Sequence, residues 1–212
     1  MRDLVPNSGY YYPNRIARIY FQAMEEIVGR NGMNALLNLN GMQHFVGEYP
    51  PLNLNKEFDF ADFSNLNRGL LDLYGYQGAR GLSLLAGRAT FDQALKGFGP
   101  LAGVSNDVFA SLPVPTKIRI GATAIARIFS QYSDQLSHVE SSDDRLTYTI
   151  ERCPVCWGQH YKKPICFAAS GLLEEGLRWV SGGCDYRVEE IECVAVGDNA
   201  CIFTIDDNQI AQ

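Results

Sequence analysis

The cysteines of this chain are confined to its last quarter. All six lie between positions 153 and 201 of 212 residues. Among them, Cys166, Cys193 and Cys201, together with Glu190, offer three thiolates and one carboxylate. Zinc accepts such donors in a closed tetrahedral shell, and a closed shell of this kind is structural. We therefore predict that these four residues bind zinc and staple the C-terminal region together.

The C-terminal cysteines lie on a predicted hairpin. Residues 186–196 and 200–205 have the pattern of two strands, and Gly197-Asp198-Asn199 between them is typical of a tight turn. Pairing of Ala195 with Cys201 would put Cys193 and Cys201 on one face, within reach of the ~3.8 Å sulfur separation in a zinc site. Glu190 faces the other way on a regular strand, so its participation requires a β-bulge before Cys193.

A second thiol group precedes the hairpin. Cys153 and Cys156 form a Cys-x-x-Cys pair, and His160 follows shortly after. Such a pair is either a metal knuckle or a redox dithiol. A redox pair usually opens a helix, whereas this one ends a predicted strand, so we favour a metal or packing role. We predict a packing role for Cys184.

The rest of the chain predicts an α+β fold. An N-terminal arm ends in Tyr10-Tyr11-Tyr12-Pro13, and apolar residues then recur with the helical period in several segments. An alternating strand pattern appears only later, before the last helix and the hairpin. The order predicts a twisted antiparallel sheet packed by several helices. We expect an arm and helical extension over residues 1–60 and a ligand-binding domain over 61–212. Predicted helices cover 15–28, 33–39, 62–74, 81–98, 118–132 and 164–180, and a predicted strand covers 146–151.

Composition excludes several classes of partner. Hydrophobic residues make up 46% and charged residues 20%, which is typical of a globular chain. The net charge of −6 and the scattered lysines and arginines argue against nucleic-acid binding. No apolar run approaches the ~20 residues of a membrane span, and no signal peptide is visible. We expect a cytoplasmic protein whose cysteines are thiols or metal ligands.

From about residue 66 to 205 the chain resembles the 4-vinyl reductase domain family, also called hydrocarbon-binding proteins. The most specific matches are Cys153-Pro154-Val155-Cys156, the segment from Cys166 to Gly171, Val188-Glu189-Glu190, Cys193, Gly197-Asp198 and Cys201-Ile202-Phe203. The resemblance implies a sheet-and-helix fold, related to small subunits of vesicle-transport tethering complexes, that is often dimeric. Phenol-sensing activators of the family hold zinc with three cysteines and a glutamate, which match Cys166, Cys193, Cys201 and Glu190. The Cys-x-x-Cys pair is additional to those sensors.

Three functions follow as hypotheses. We favour a non-catalytic module that binds a small hydrophobic molecule, aromatic or tetrapyrrole-like, near Phe129, Trp157 and Trp179. The family also includes factors for bacteriochlorophyll biosynthesis and photosystem assembly, so an enzyme or accessory factor, including a vinyl reductase, is the alternative. The sequence lacks a dinucleotide-binding fingerprint that would supply hydride. The third hypothesis is an assembly subunit that acts through a homodimer surface.

Overall fold

The computed structural model describes residues 4–95, 107–142 and 145–205. The N-terminal arm forms strand β1 (Tyr11–Pro13), which pairs antiparallel with β2 (Lys56–Asp59). Helix α1 (Asn14–Leu39) and a 3-10 turn (Gln43–Phe45) lie between them in sequence. Helix α2 (Phe60–Leu95) follows β2 directly. The expected packing of the tyrosine arm thus takes the form of a small two-stranded sheet.

Both long helices break at a glycine. Gly29 interrupts α1 with a φ of 73°, close to the predicted end of the first helix. Gly75 interrupts α2 with a φ of 65° and a ψ of 174°, a backbone conformation that favours glycine. The predicted break over residues 75–81 therefore shrinks to one residue. α2 also begins earlier than predicted, because the Asp59 carboxylate accepts the Ala61 N–H at 2.7 Å and caps the helix.

The C-terminal half contains the main sheet. It consists of short helix α3 (Asp107–Ala110), α4 (Val114–Tyr132), β3 (Ser137–Ser142), β4 (Arg145–Ile150), α5 (Phe167–Ser181), β5 (Val188–Glu192) and β6 (Cys201–Ile205). The four strands pair antiparallel in the order β3-β4-β6-β5. The predicted α+β fold, an antiparallel sheet with a helical N-terminal region, is confirmed. Strand β3 was not predicted, because its mostly polar sequence lacks an alternating apolar pattern.

The predicted hairpin is too long on its first strand. β5 ends at Glu192, and Val194–Val196 form a 3-10 turn, so Ala195 does not pair with Cys201. Cys201 instead faces Ile150 of β4. Hydrogen bonds explain the departure. The Asp198 carboxylate accepts the Cys193 N–H at 2.8 Å, and the Ala195 carbonyl accepts the Tyr161 N–H at 2.7 Å.

Helices α2 and α5 touch through their backbones. A Cβ atom on Gly87 would lie 2.1 Å from the carbonyl oxygen of Ala168, and one on Gly171 would lie 2.1 Å from that of Leu84. Only glycine at these two positions permits so close an approach. The contact fixes α5, and with it the segment that carries Cys166, relative to α2.

The buried apolar side chains form a single cluster that runs from Tyr12 on β1 to Ile205 on β6. The boundary near residue 60 remains a prediction. None of the described helices combines the length and the hydrophobicity needed to cross a membrane.

We predict that Gly171→Ala destabilises the protein by about 1–3 kcal/mol, because the added methyl forces α5 away from α2. Gly81→Ala is the matched control. Gly81 lies in α2, and nothing lies within 4 Å of the position that a Cβ atom would take there, so alanine should be neutral or stabilise by up to about 1 kcal/mol. Urea unfolding of both variants measures the difference. Equal stabilities would contradict the close backbone contact.

Candidate metal centre and adjoining cavity

Five cysteine sulfurs meet in the interior beside the sheet. Cys153 and Cys156 come from the loop after β4, Cys166 immediately precedes α5, Cys193 follows β5 and Cys201 opens β6. Each of these residues is at most 2% exposed. They are therefore withdrawn from water, although they come from segments far apart in the sequence.

The sulfur separations match those of a metal-bound set. The Sγ of Cys166 lies 3.6 Å from that of Cys153, 3.8 Å from that of Cys193 and 3.7 Å from that of Cys201. The Sγ atoms of Cys156 and Cys201 are 3.5 Å apart. Zinc–sulfur bonds of about 2.3 Å place tetrahedral sulfurs ~3.8 Å apart.

A bulge in β5 brings Glu190 to this cluster. Glu190 pairs with Phe203 and Glu192 with Ile202, so the register shifts at Ile191 between them. Paired residues share a face, so Glu190 lies on the same side of the sheet as Phe203 and Cys201. The bulge is the irregularity that the four-ligand set requires.

The donors form two overlapping groups. One consists of Cys153, Cys156, Cys166 and Cys201, and the other of Cys166, Glu190, Cys193 and Cys201. Within each group the potential ligand atoms all lie within 4.8 Å of one another. A cluster of buried cysteines that could hold a metal ion is thus present, and the second group is the predicted zinc set.

Glu190 is half satisfied. Its Oε2 accepts the backbone N–H of Cys166 at 2.8 Å. Its Oε1 is buried and has no hydrogen-bond partner among the described residues. A buried carboxylate oxygen without a donor is costly, and a cation at this position would satisfy it. The residues therefore fit a metal ion.

The electrostatics of the metal-free site show the same need for a cation. Burial, reinforced by the neighbouring Cys193 and Cys201, raises the pKa of Glu190 to about 11. Burial also raises the pKa of the Cys166 thiol well above its ordinary value. Hydrogen bonds from Cys156 and Cys166 lower the pKa of Cys193 to about 7. Without a metal, the site keeps a proton on Glu190 at neutral pH.

Two predicted thiol-site residues behave differently from the rest. His160 is exposed and belongs to neither donor group, although it follows Cys156 by only four residues. Cys184 is half-buried and also lies outside both groups. Cys153 and Cys156, in contrast, join the same cluster as the predicted zinc ligands. Sequence spacing alone did not reveal that the two thiol sites are one.

An apolar cavity lies next to the cluster. The space open to the centre of a water-sized sphere is about 50 Å³, several times the ~10–15 Å³ that one water requires. The walls come from β1, α1, α2, α4, β4 and α5, and they consist of Tyr12, Ile16, Tyr20, Phe63, Gly87, Thr90, Phe129, Gln135, Tyr148, Ile150, Val155, Ala168, Ala169, Leu172 and Leu173. Such a cavity suits an apolar guest.

Buried hydroxyl groups give the cavity a small polar region. The Tyr12 hydroxyl hydrogen-bonds the side-chain carbonyl of Gln135, and the Gln135 amide donates to Ser137 Oγ at 2.7 Å. Burial raises the pKa of Tyr148 beyond the range of aqueous titration, and its side chain also hydrogen-bonds Ser137. These phenols stay protonated and offer neutral hydrogen bonds.

The predicted ligand-contacting residues divide between two environments. Phe129 lines the cavity. Trp157 packs against Tyr10, with ring centroids 5.2 Å apart, and Trp179 packs against Phe91 at 6.1 Å. Neither tryptophan is among the lining residues. The lining tyrosine Tyr12 was not predicted as a contact, although the run of three tyrosines before Pro13 marked the arm as a packing segment.

The cavity and the cysteine cluster share one loop. Val155 lines the cavity, while its neighbours in sequence include Cys153 and Cys156 of the cluster. Ala168 and Ala169 line the cavity from the first turn of α5, just after Cys166. The placement of the cavity wall is therefore tied to the positions of the three sulfurs.

Comparison with protein families places the site in a known domain. Residues 146–206, which contain β4, α5, β5, β6 and every donor of the cluster, match the model of the 4-vinyl reductase domain. This part of the chain belongs to the 4-vinyl reductase domain family. The match confirms the resemblance seen in the cysteine motif, whereas the relation to tethering-complex subunits remains a prediction.

The 4-vinyl reductase domain is also the size of the region shared with a curated relative. An uncharacterized protein of Methanocaldococcus jannaschii is 31% identical over 61 residues, which is 29% of this chain and 33% of that protein. The chain thus matches only about a third of the relative's length. The match extends the likeness to an archaeal protein without adding an activity.

Solved structures resemble the fold over more of the chain. An Fe(II) unliganded H-NOX protein from K. algicida has a TM-score of 0.59 at 13% identity and covers 94% of this chain and 97% of its own. An H-NOX protein from S. oneidensis in the Fe(II)NO state has a TM-score of 0.55 at 12% identity, covering 91% and 98%. The phenol-responsive sensory domain of the transcription activator PoxR, with phenol, has a TM-score of 0.50 at 18% identity, covering 69% and 73%. At these identities the likeness establishes the fold.

We predict that zinc added to reduced, metal-free protein near pH 7 displaces the proton of Glu190. The raised pKa leaves this carboxyl protonated before binding, and metal ligation requires the carboxylate. Glu190→Gln should release about one proton fewer per chain. Glu192→Gln, at an exposed position on the same strand, is the control. Calorimetry in two buffers of different ionisation enthalpy counts the protons. Equal release from all three proteins would show that Glu190 is not a ligand.

Proposed function

We propose that this protein binds a small apolar molecule in the cavity beside the sheet and does not transform it. The observation that carries the proposal is the cavity itself, with apolar walls and buried phenol groups at one side. A guest with one hydroxyl could exchange hydrogen bonds with the Tyr12, Gln135 and Tyr148 region while its hydrocarbon part contacts Phe129. Neutral phenols and an amide position a ligand but supply no acid–base pair.

The size of the cavity favours a single aromatic ring over a tetrapyrrole. About 50 Å³ of space for the centre of a water-sized sphere is in the range of a small ring, whereas a tetrapyrrole has four linked rings. The phenol-bound PoxR sensory domain, which has a similar fold, supports the same class of ligand. Roles in bacteriochlorophyll biosynthesis or photosystem assembly have no comparable observation in their favour.

A structural zinc ion at Cys166, Glu190, Cys193 and Cys201 is the second part of the proposal. The unpartnered Glu190 oxygen, the sulfur separations and the burial of the cysteines support it. Such a zinc ion would cross-link the start of α5 to β5 and β6 and supply folding free energy. We also propose a cytoplasmic location, where the thiols stay reduced, and a homodimer, supported by the exposed apolar Leu73, Tyr74 and Leu85 of α2.

The zinc proposal predicts a large effect of one substitution. Cys201→Ser should lose bound zinc and lower the free energy of unfolding by about 3 kcal/mol or more, because it leaves buried anionic donors without their cation. Cys184→Ser, outside the cluster, should change neither quantity. Elemental analysis and chemical unfolding under reducing conditions measure both. Full zinc content in a folded Cys201→Ser protein would contradict the ligand assignment.

The ligand proposal predicts selective stabilisation by small aromatic compounds. At a concentration about 100 times Kd, a compound that binds only the folded state adds about 2.7 kcal/mol of stability. Thermal-shift measurements with phenols, methylbenzenes and porphyrins should select the single-ring compounds. Ala168→Leu should abolish the shift, since Ala168 is buried and lines the cavity.

Trp179→Phe is the control for this experiment, because Trp179 is not a lining residue. It should retain the thermal shift. Stabilisation by porphyrins alone would contradict the single-ring assignment, and an unchanged shift in Ala168→Leu would place the ligand elsewhere.

A further inference from the structure

We propose that the cluster holds two thiophilic divalent ions, with the Cys166 and Cys201 thiolates bridging them. The inference extends the metal site of the proposed function. One ion would lie in the group of Cys166, Glu190, Cys193 and Cys201, and the other in the group of Cys153, Cys156, Cys166 and Cys201. These are the two overlapping sets of four donors that the fold assembles.

The number of donors fits two tetrahedral ions. Each ion needs four bonds, and the six side chains supply them when two sulfurs are shared. The two groups have just these two members in common, Cys166 and Cys201. The terminal ligands are then Cys153 and Cys156 on one ion, and Glu190 and Cys193 on the other. Every donor of the two groups is thereby used.

The distances give the shared sulfurs a central position. Cys166 Sγ lies within 3.8 Å of the sulfurs of Cys153, Cys193 and Cys201. Cys201 Sγ in turn lies 3.5 Å from that of Cys156. The two shared sulfurs are 3.7 Å apart, which is close to the edge length of a zinc–thiolate tetrahedron. Two tetrahedra that share this edge account for both groups.

The charge balance also favours a second ion. The five cysteines are each at most 2% exposed, so their thiolates and the Glu190 carboxylate would be costly to bury without compensating positive charge. Two divalent ions leave the six-donor site with the same residual charge as one ion in a site of three thiolates and one carboxylate. With one ion, the Cys153 and Cys156 sulfurs would remain unligated beside metal-bound thiolates.

Backbone N–H groups support the bridging positions. The Val194 N–H donates to Cys201 Sγ at 3.4 Å, and the Cys166 N–H donates to Glu190 Oε2 at 2.8 Å. Such contacts orient ligands and partly neutralise the charge of a metal–thiolate site. They fix Glu190 and Cys201 relative to the segment that carries Cys166, while the loop after β4 brings the additional cysteine pair.

Metal counting tests the proposal. The full chain is prepared anaerobically, stripped of metal, and titrated with cobalt(II) while thiolate charge-transfer absorption is recorded. Native mass spectrometry of the zinc-loaded protein gives an independent count. We expect two ions per chain in the wild type. The Cys153→Ser/Cys156→Ser double variant should bind one, because the group containing Glu190 stays complete. Cys184→Ser should still bind two.

X-ray absorption of the zinc-loaded wild-type protein provides a readout that does not depend on the folding of any variant. Two bridged ions give a metal–metal scattering path in addition to sulfur ligation. One ion per chain in the wild type, or an unchanged count in the double variant, would overturn the bridged site. One ion with normal ligand binding would leave the proposed function intact, whereas loss of single-ring binding with two ions present would remove only that function.

Discussion

The concentration of anionic donors in a dry interior is the constraint on which the C-terminal half depends. Five cysteines and one glutamate, drawn from the loop after β4, the start of α5, and strands β5 and β6, meet where water is excluded. Hydrogen bonds among thiols do not satisfy Glu190, whose Oε1 has no partner among the described residues. A metal charge converts this arrangement from a cost into a cross-link.

The cavity depends on the same cross-link. Val155 sits between the paired cysteines of the loop after β4, and Ala168 follows Cys166 on α5. On the other side, Gly87 lets α2 approach the α5 backbone so closely that a Cβ atom would overlap the Ala168 carbonyl. The wall at Ala168 is therefore held between a backbone contact and the metal cluster. A ligand that fills the cavity would act on the same elements that the metal fixes, so ligand and metal binding are expected to be linked.

The sequence predicted the elements that carry strong local signals. The helical periods of α1 and α4, the alternation of β4, and the turn at Gly197-Asp198-Asn199 all correspond to observed features. The sequence also indicated that Glu190 could join Cys193 only through a bulge, and the register does shift at Ile191. These inferences succeeded because each rests on the geometry of a few neighbouring residues.

Other features depend on tertiary contacts and could not be read from local patterns. Polar strand β3 exists because β4 and α4 lie beside it. The end of β5 at Glu192 depends on the Asp198 carboxylate. Above all, the merging of the Cys153 and Cys156 pair with the predicted zinc ligands requires the loop after β4 to fold back over β6. Aromatic content pointed to Trp157 and Trp179, yet their packing partners are other core rings.

The central claim is that a metal ion organises this cluster and thereby the cavity beside it. A crystal structure of protein purified under reducing conditions, with anomalous difference maps recorded on both sides of the zinc absorption edge, tests the claim most directly. The account predicts strong zinc-specific peaks on either side of the Cys166–Cys201 sulfur pair, one of them adjacent to Glu190 Oε1. A map without such peaks, in which all five thiols are ordered and reduced, would contradict it.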